Sequence, residues 1–151
     1  MRDHAAVLEI AAQAKQAMDA SFPAVVWLYD AFNQALPAPL TSLDGAATYV
    51  RPRWIPGDPA TLSGGRTALS KEVGFFTIQI LVPKRKGLAP PATAASLLRD
   101  ALEGHDHAGY RLARASRFYP LSDDDSDRGF PLPQSHVSFV WEIKWSIYRR
   151  T

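Results

Sequence analysis

The alternation of apolar and polar positions is clearest near the C-terminal end of the chain. From His136 to Arg149, Val137, Phe139, Trp141, Ile143, Trp145 and Ile147 fall on one side of an extended backbone. Ser138, Glu142, Lys144 and Ser146 fall on the other. A period of two over this length predicts a long strand with one buried face. Glu72 to Pro83 repeats the pattern. Phe76, Ile78, Ile80 and Val82 make an apolar face, and Phe75, Thr77, Gln79 and Leu81 a mixed one, as in a central antiparallel strand. Thr48 to Ile55 alternates Tyr49, Arg51 and Arg53 with Val50, Pro52 and Trp54. Pro52 has no N–H to give a ladder, so this strand is expected at an edge or a bulge. Tyr110 to Phe118 reads as a weaker strand, broken by three arginines. Ala24 to Tyr29 is a short apolar run that suits a strand or an extended segment closing one edge of the core.

Two stretches carry helical spacing instead. Between Asp3 and Ala20, Val7, Ile10, Ala11, Ala14, Ala17 and Met18 form one stripe, with Asp3 as an N-cap. Between Pro91 and Glu103, Ala94, Leu97, Leu98, Ala101 and Leu102 form another, and Gly104 suits the C′ position. Prolines punctuate the connections. The longest connection, Pro56 to Lys71, holds Ser63-Gly64-Gly65 and is expected to be a mobile loop. Residues 120–134 form a polar loop around Asp123-Asp124-Asp125-Ser126-Asp127. The order α, short β, β, β, α, β, β predicts an α+β fold. We expect one domain over residues 1–151, a mostly antiparallel four- to five-stranded sheet with two helices packed on it as a two-layer sandwich.

Composition narrows the chemistry. The 151 residues include no cysteine, which excludes disulfides, thiolate catalysis and Cys-ligated zinc. A net charge of +2 is spread along the chain and is no nucleic-acid signature by itself. No apolar run approaches the ~20 residues that span a bilayer. The first twenty residues intersperse acids and bases and lack a signal-peptide pattern, so no membrane partner and a cytosolic location are expected.

Each motif that suggests chemistry has a plainer reading that outweighs it. His105-Asp106-His107 offers two imidazoles, but flanking Gly104 and Gly109 favour a solvated turn, and no metal site is expected. Asp123 to Asp127 lacks the glycine and terminal glutamate of a calcium loop. Ser63 to Thr67 lacks the phosphate-loop pattern and suits a flexible arm. Lys84-Arg85-Lys86 is the densest cation cluster. It is either a solvated corner or a contact with an acidic or nucleic-acid partner, and it has no interleaved aromatics for base stacking. Trp141 and Trp145 are read as core. No Gly-x-Ser-x-Gly elbow occurs, and nothing supports hydrolysis.

The order of segments is more specific than any one of them. W-I-P-G-D (Trp54 to Asp58) closes a basic strand, and Gly64-Gly65-Arg66 follows in a loop. Then come G-F-F-T-I-Q-I-L-V-P (Gly74 to Pro83), a K-R-K-G corner, and A-x-x-L-L-R-D-A-L (Ala94 to Leu102). This set resembles the lambda-type tail terminator family of long-tailed bacteriophages and prophages. The resemblance covers roughly residues 3 to 118. It implies a structural protein, not an enzyme, with no catalytic residue and no cofactor. Family members are monomers when free and form a ring, usually hexameric, on the tail tube. They end its polymerisation and offer a surface for head joining. The implied partners are further copies of the chain, the major tail tube protein and a head-completion or connector protein, with no specific nucleic acid. The implied location is the bacterial host cytoplasm during assembly, then the virion tail. Arg66, Lys71, Lys84, Arg85, Lys86, Asp123, Asp124 and Asp125 are the candidate assembly residues. The competing expectation is a small nucleic-acid-binding module using the basic residues around 51–53, 66 and 84–86.

Overall fold

The computed structural model describes residues 2–21, 25–27, 47–57, 60–61, 69–84, 89–107, 109–121 and 136–150. Helix α1 spans Arg2–Ser21 and α2 Ala89–Leu102. The strands are β1 (Val25–Trp27), β2 (Thr48–Ile55), β3 (Ala60–Thr61), β4 (Leu69–Pro83), β5 (Asp106–His107), β6 (Tyr110–Pro120) and β7 (His136–Arg150). They form one sheet in the order β1-β2-β4-β7-β6-β5, with β3 also on β4. The expected α+β class and the mostly antiparallel sheet are borne out. The strand number is not: four long strands carry the sheet and three short ones are added to it. Of these, β1 pairs parallel with β2.

The spine is β4 paired with β7 along fifteen residues without a register break, from Leu69↔Arg150 to Pro83↔His136. Both helices lie on one face of it. Val7, Ile10, Ala14 and Met18 of α1, and Ala94, Ala95, Leu98 and Leu102 of α2, share one buried cluster with Phe76, Ile78, Ile80 and Val82 of β4 and Trp141, Ile143 and Trp145 of β7. The two tryptophans are therefore core, as their alternation indicated. α2 ends as its sequence indicated: Gly104 has φ of 73°, and His105 N donates to Leu102 O at 3.2 Å. Pro52 is tolerated because β1 covers β2 only from Thr48 to Val50. Beyond Val50 that side of β2 has no described strand beside it, so the missing N–H disrupts no ladder there.

Several expectations need correction. Lys71 is not in a loop: β4 begins at Leu69, and Ala60–Thr61 pairs with Ser70 and Lys71. Leu-Ser-Lys-Glu has no apolar alternation of its own; the continuing β7 partner, Ile147 to Arg150, supplies the pairing. Of the rest of the expected loop, 58–59 and 62–68 lie outside the described residues, as does nearly all of 120–134. The mixed face of β4 is more buried than its composition suggested, with Thr77, Gln79 and Leu81 all inaccessible. α1 already starts at Arg2, so Asp3 stands in its first turn and not at the cap. Val137 was expected on the buried face; it lies in register with the buried Val82 yet is itself exposed. The three arginines of β6 accompany a bulge. Between Leu112 and Ser116 the register takes four steps on β6 against two on β7.

One detail explains why the sheet's central crossing is tight. Trp54 of β2 and Trp145 of β7 stack with centroids 4.7 Å apart, although β4 runs between their strands. They meet over Gly74, which pairs with Trp145. A Cβ at Gly74 would overlap both the Ile55 carbonyl and the Trp145 indole, and one at Gly57 would overlap the Val73 carbonyl. Tyr110 closes the cluster edge-on, 5.4 Å from each indole. Here the glycines serve close approach of backbone and ring, with no unusual φ involved.

Candidate assembly surfaces

The sheet face away from the helices is built from the polar positions of the alternation. Arg53, Thr77, Glu142 and Arg117 form a row across β2, β4, β7 and β6, and Arg51, Gln79, Val140 and Tyr119 form the next. Tyr119 donates to Glu142 Oε2 at 2.9 Å, and the Arg117 guanidinium lies 5.2 Å from the Tyr119 ring centre. Burial, and then the charge of Arg53, lower the Arg51 pKa from its ordinary value. Arg51 and Arg53 are thus half-buried members of a packed face, unlike solvated phosphate-binding cations.

Of the candidate assembly residues, only Lys71 and Lys84 are among the described residues; Arg66, Arg85, Lys86, Asp123, Asp124 and Asp125 lie outside them. The fold does not bring the two lysines together. Lys71 is near the start of β4 and Lys84 follows its last residue, so about 40 Å of strand separates them. Lys84 is exposed, whereas Lys71 is half-buried, with its ammonium 5.5 Å from the Tyr148 ring centre. At the Lys71 end, Arg149 ties the ribbon together, donating to Glu72 at 3.2 Å and to the Tyr110 hydroxyl at 3.0 Å.

Sequence reasoning missed what surrounds Lys71. A pocket of about 200 Å³ opens between β4, β7 and the bulged start of β6. Its lining includes Lys71, Arg111, Arg114 and Lys144 and, among the described residues, no carboxylate. Arg111 has a partner outside the lining, Asp106 at 3.5 Å, but both side chains are largely exposed and such a pair is weak. Polar positions of two strands were legible in the sequence; their convergence depends on register and on the bulge. The histidine pair takes a structural place. His107 turns Nδ1 toward Glu9 of α1 at 3.6 Å, and Asp106–His107 form β5, where a plain turn was expected.

The core face carries one hydrogen-bond relay. Trp141 Nε1 donates to Ser116 Oγ at 2.9 Å, and Ser116 Oγ donates to Glu103 Oε1 at 2.6 Å. Ser116 N also donates to Glu103, at 2.9 Å. The relay joins β7, β6 and the end of α2, and gives a buried indole N–H the partner it needs.

An α+β sheet with two helices on one face is the class that the fold defines. No protein-family model and no curated protein matches the chain. The solved structures that align with it include two that cover most of its length. One, identified only by a sequence label, covers 86% of this chain and 84% of its own at 16% identity and a TM-score of 0.49. The other is a chain of the virion of a native gene transfer agent (GTA) particle, covering 90% of this chain and 92% of its own at 20% identity and a TM-score of 0.48. Likeness at this level establishes neither a family nor a function.

Proposed function

We propose that this chain is a structural protein of a phage tail or tail-like particle, acting as a terminator that caps the tail tube, stops its growth and presents a surface for head joining. It works as a ring of identical copies and carries no catalytic site. The observation that supports this reading is how the resembling segments sit in the fold. β2, β4 and α2 contribute to one buried core, and Gly57 and Gly74, the glycines of the W-I-P-G-D and G-F-F-T segments, are both required by close contacts between β2, β4 and β7. The described parts of these segments, on β2, β4 and α2, thus share one packed unit, which is what the resemblance requires. Lys84, exposed directly after β4, stands at the end of this packed unit, where a neighbouring copy can meet it.

The test is direct. Tail tube subunits are polymerised with and without the purified protein, and tube lengths are measured by negative-stain electron microscopy. The expected result is short tubes with an added ring at one end. Tubes that grow without limit, with the protein left free in solution, would sink the proposal.

A further inference from the structure

We infer that the outer edge of β6, from Ser116 to Pro120, takes an extended segment of a partner protein in which apolar and acidic residues alternate. The inference stands apart from the tail reading above. Two hydrogen bonds fix which way the backbone of β6 faces. Leu121 N donates to Ser138 O at 2.9 Å, so Leu121 turns its backbone groups toward β7. Ser116 N donates to Glu103 Oε1 at 2.9 Å, on the side away from β7. A strand alternates these two directions. Arg117 and Tyr119 therefore bond to β7 opposite Glu142 and Val140, while Ser116, Phe118 and Pro120 turn outward. Along the first half of β6 the outer side is occupied. β5 pairs with Tyr110 and Arg111, Leu112 N donates to His105 O at 3.0 Å, and Gly104 N donates to Ala113 O at 2.9 Å. Past Ser116 no described residue hydrogen-bonds to it.

The open stretch offers three carbonyls, of Ser116, Phe118 and Pro120. It offers one N–H, that of Phe118, because Ser116 N is taken and proline has none. A strand that gives three N–H groups and accepts one completes it. Side chains then select the partner. Phe118 is half-buried on the core face and stacks on Phe139 at 5.5 Å, so the residue laid beside it gains from being apolar. Arg117 is exposed on the other face and has no ion pair among the described residues. Glu142, opposite it, already accepts from the Tyr119 hydroxyl. The residue laid beside Arg117 gains from being acidic. A sheet edge of a second copy is a poor occupant. β6 against β6 puts the arginines of both copies on one ladder, and β2, toward the opposite side of the sheet, carries Arg51 and Arg53 on the same face as Arg117.

The probes are two capped hexapeptides, one alternating valine with glutamate and the other valine with lysine. Each is titrated at low salt into the isotope-labelled protein, and amide shifts and hydrogen exchange are followed by NMR. The expected result is that the glutamate peptide shifts the amides of Ser116 to Tyr119 and slows exchange at Phe118 at least about threefold, while the lysine peptide does neither. Arg117→Glu should reverse this preference, and Arg117→Gln, the milder change, should abolish it. The glutamate peptide N-methylated at alternate residues on its bonding edge should not bind. A Phe118 amide already protected in the free protein overturns the inference, because the edge is then closed. So do equal effects of the two peptides, shifts centred away from β6, or no response to either. None of these outcomes bears on the tail reading, which the tube-length measurement tests.

Discussion

Gly74→Ala adds a single carbon, and the fold has no room for it. The new Cβ would overlap the Ile55 carbonyl on one side and the Trp145 ring on the other. Neither obstacle yields easily. Ile55 is backbone in the β2–β4 ladder, paired with Phe75. Trp145 is buried, stacked on Trp54 at 4.7 Å, with Tyr110 edge-on at 5.4 Å. Overpacking of a dense core costs typically about 1–3 kcal/mol, and obstacles this rigid put the expected cost near 3 kcal/mol. For a domain of this size that is a fall in Tm of about 6–12 °C. The assay is thermal unfolding followed by near-ultraviolet circular dichroism, which also reports the indole stack. Gly104→Ala is the comparison. Its φ is 73° but the nearest atom to a new Cβ is Arg114 Cγ at 3.6 Å, so only the left-handed backbone is penalised, by about 1 kcal/mol. A Gly74→Ala protein that melts with Gly104→Ala or above it, with its indole signal unchanged, would refute the close crossing of β2, β4 and β7.

Other outcomes follow from the same contacts. Ser116→Ala removes the acceptor of the Trp141 N–H and should cost about 2 kcal/mol by urea titration, whereas Glu103→Gln, which keeps an acceptor for Ser116, should cost less than half of that. Trp54→Ala opens the aromatic cluster and should cost about 3–5 kcal/mol in the same titration. Lys71→Glu should leave stability within about 1 kcal/mol, since its ring contact with Tyr148 is part-exposed, yet reduce ring formation as counted by electron microscopy. If Lys71→Glu assembles as the wild type does, Lys71 has no place in the interface.

What the sequence made legible was decided by periodicity. Phe76, Ile78, Ile80 and Val82, and the Trp141, Ile143 and Trp145 series, could be assigned to one face because a strand repeats every two residues and both runs are long. Lys71 was misplaced in a loop because Leu69 to Glu72 have no alternation, and their strand conformation comes from a partner about eighty positions away. The need for glycine at 74 was invisible for a related reason: it arises from two tryptophans that only the sheet order brings together. The cationic pocket was half legible. Lys144 stands at a polar position of the alternation, but the bulge that gathers the cations depends on how β6 meets β7, and no local pattern encodes that.

The unbroken pairing of β4 with β7 has a mechanical side. Fifteen paired residues make a beam about 50 Å long, while α1 and α2, at 20 and 14 residues, span about 30 and 21 Å. The core grips it from Phe76 to Val82 on β4 and from Phe139 to Ile147 on β7. Its two tips, at Lys71 and at Lys84, cannot adjust independently. A tilt of about 5° imposed at one tip displaces the other by about 3–4 Å, as much as one residue of strand. A subunit held at one end is therefore aimed at the other, and small angular choices between neighbours are carried across the whole width of the protein as a change in where the next contact must be made.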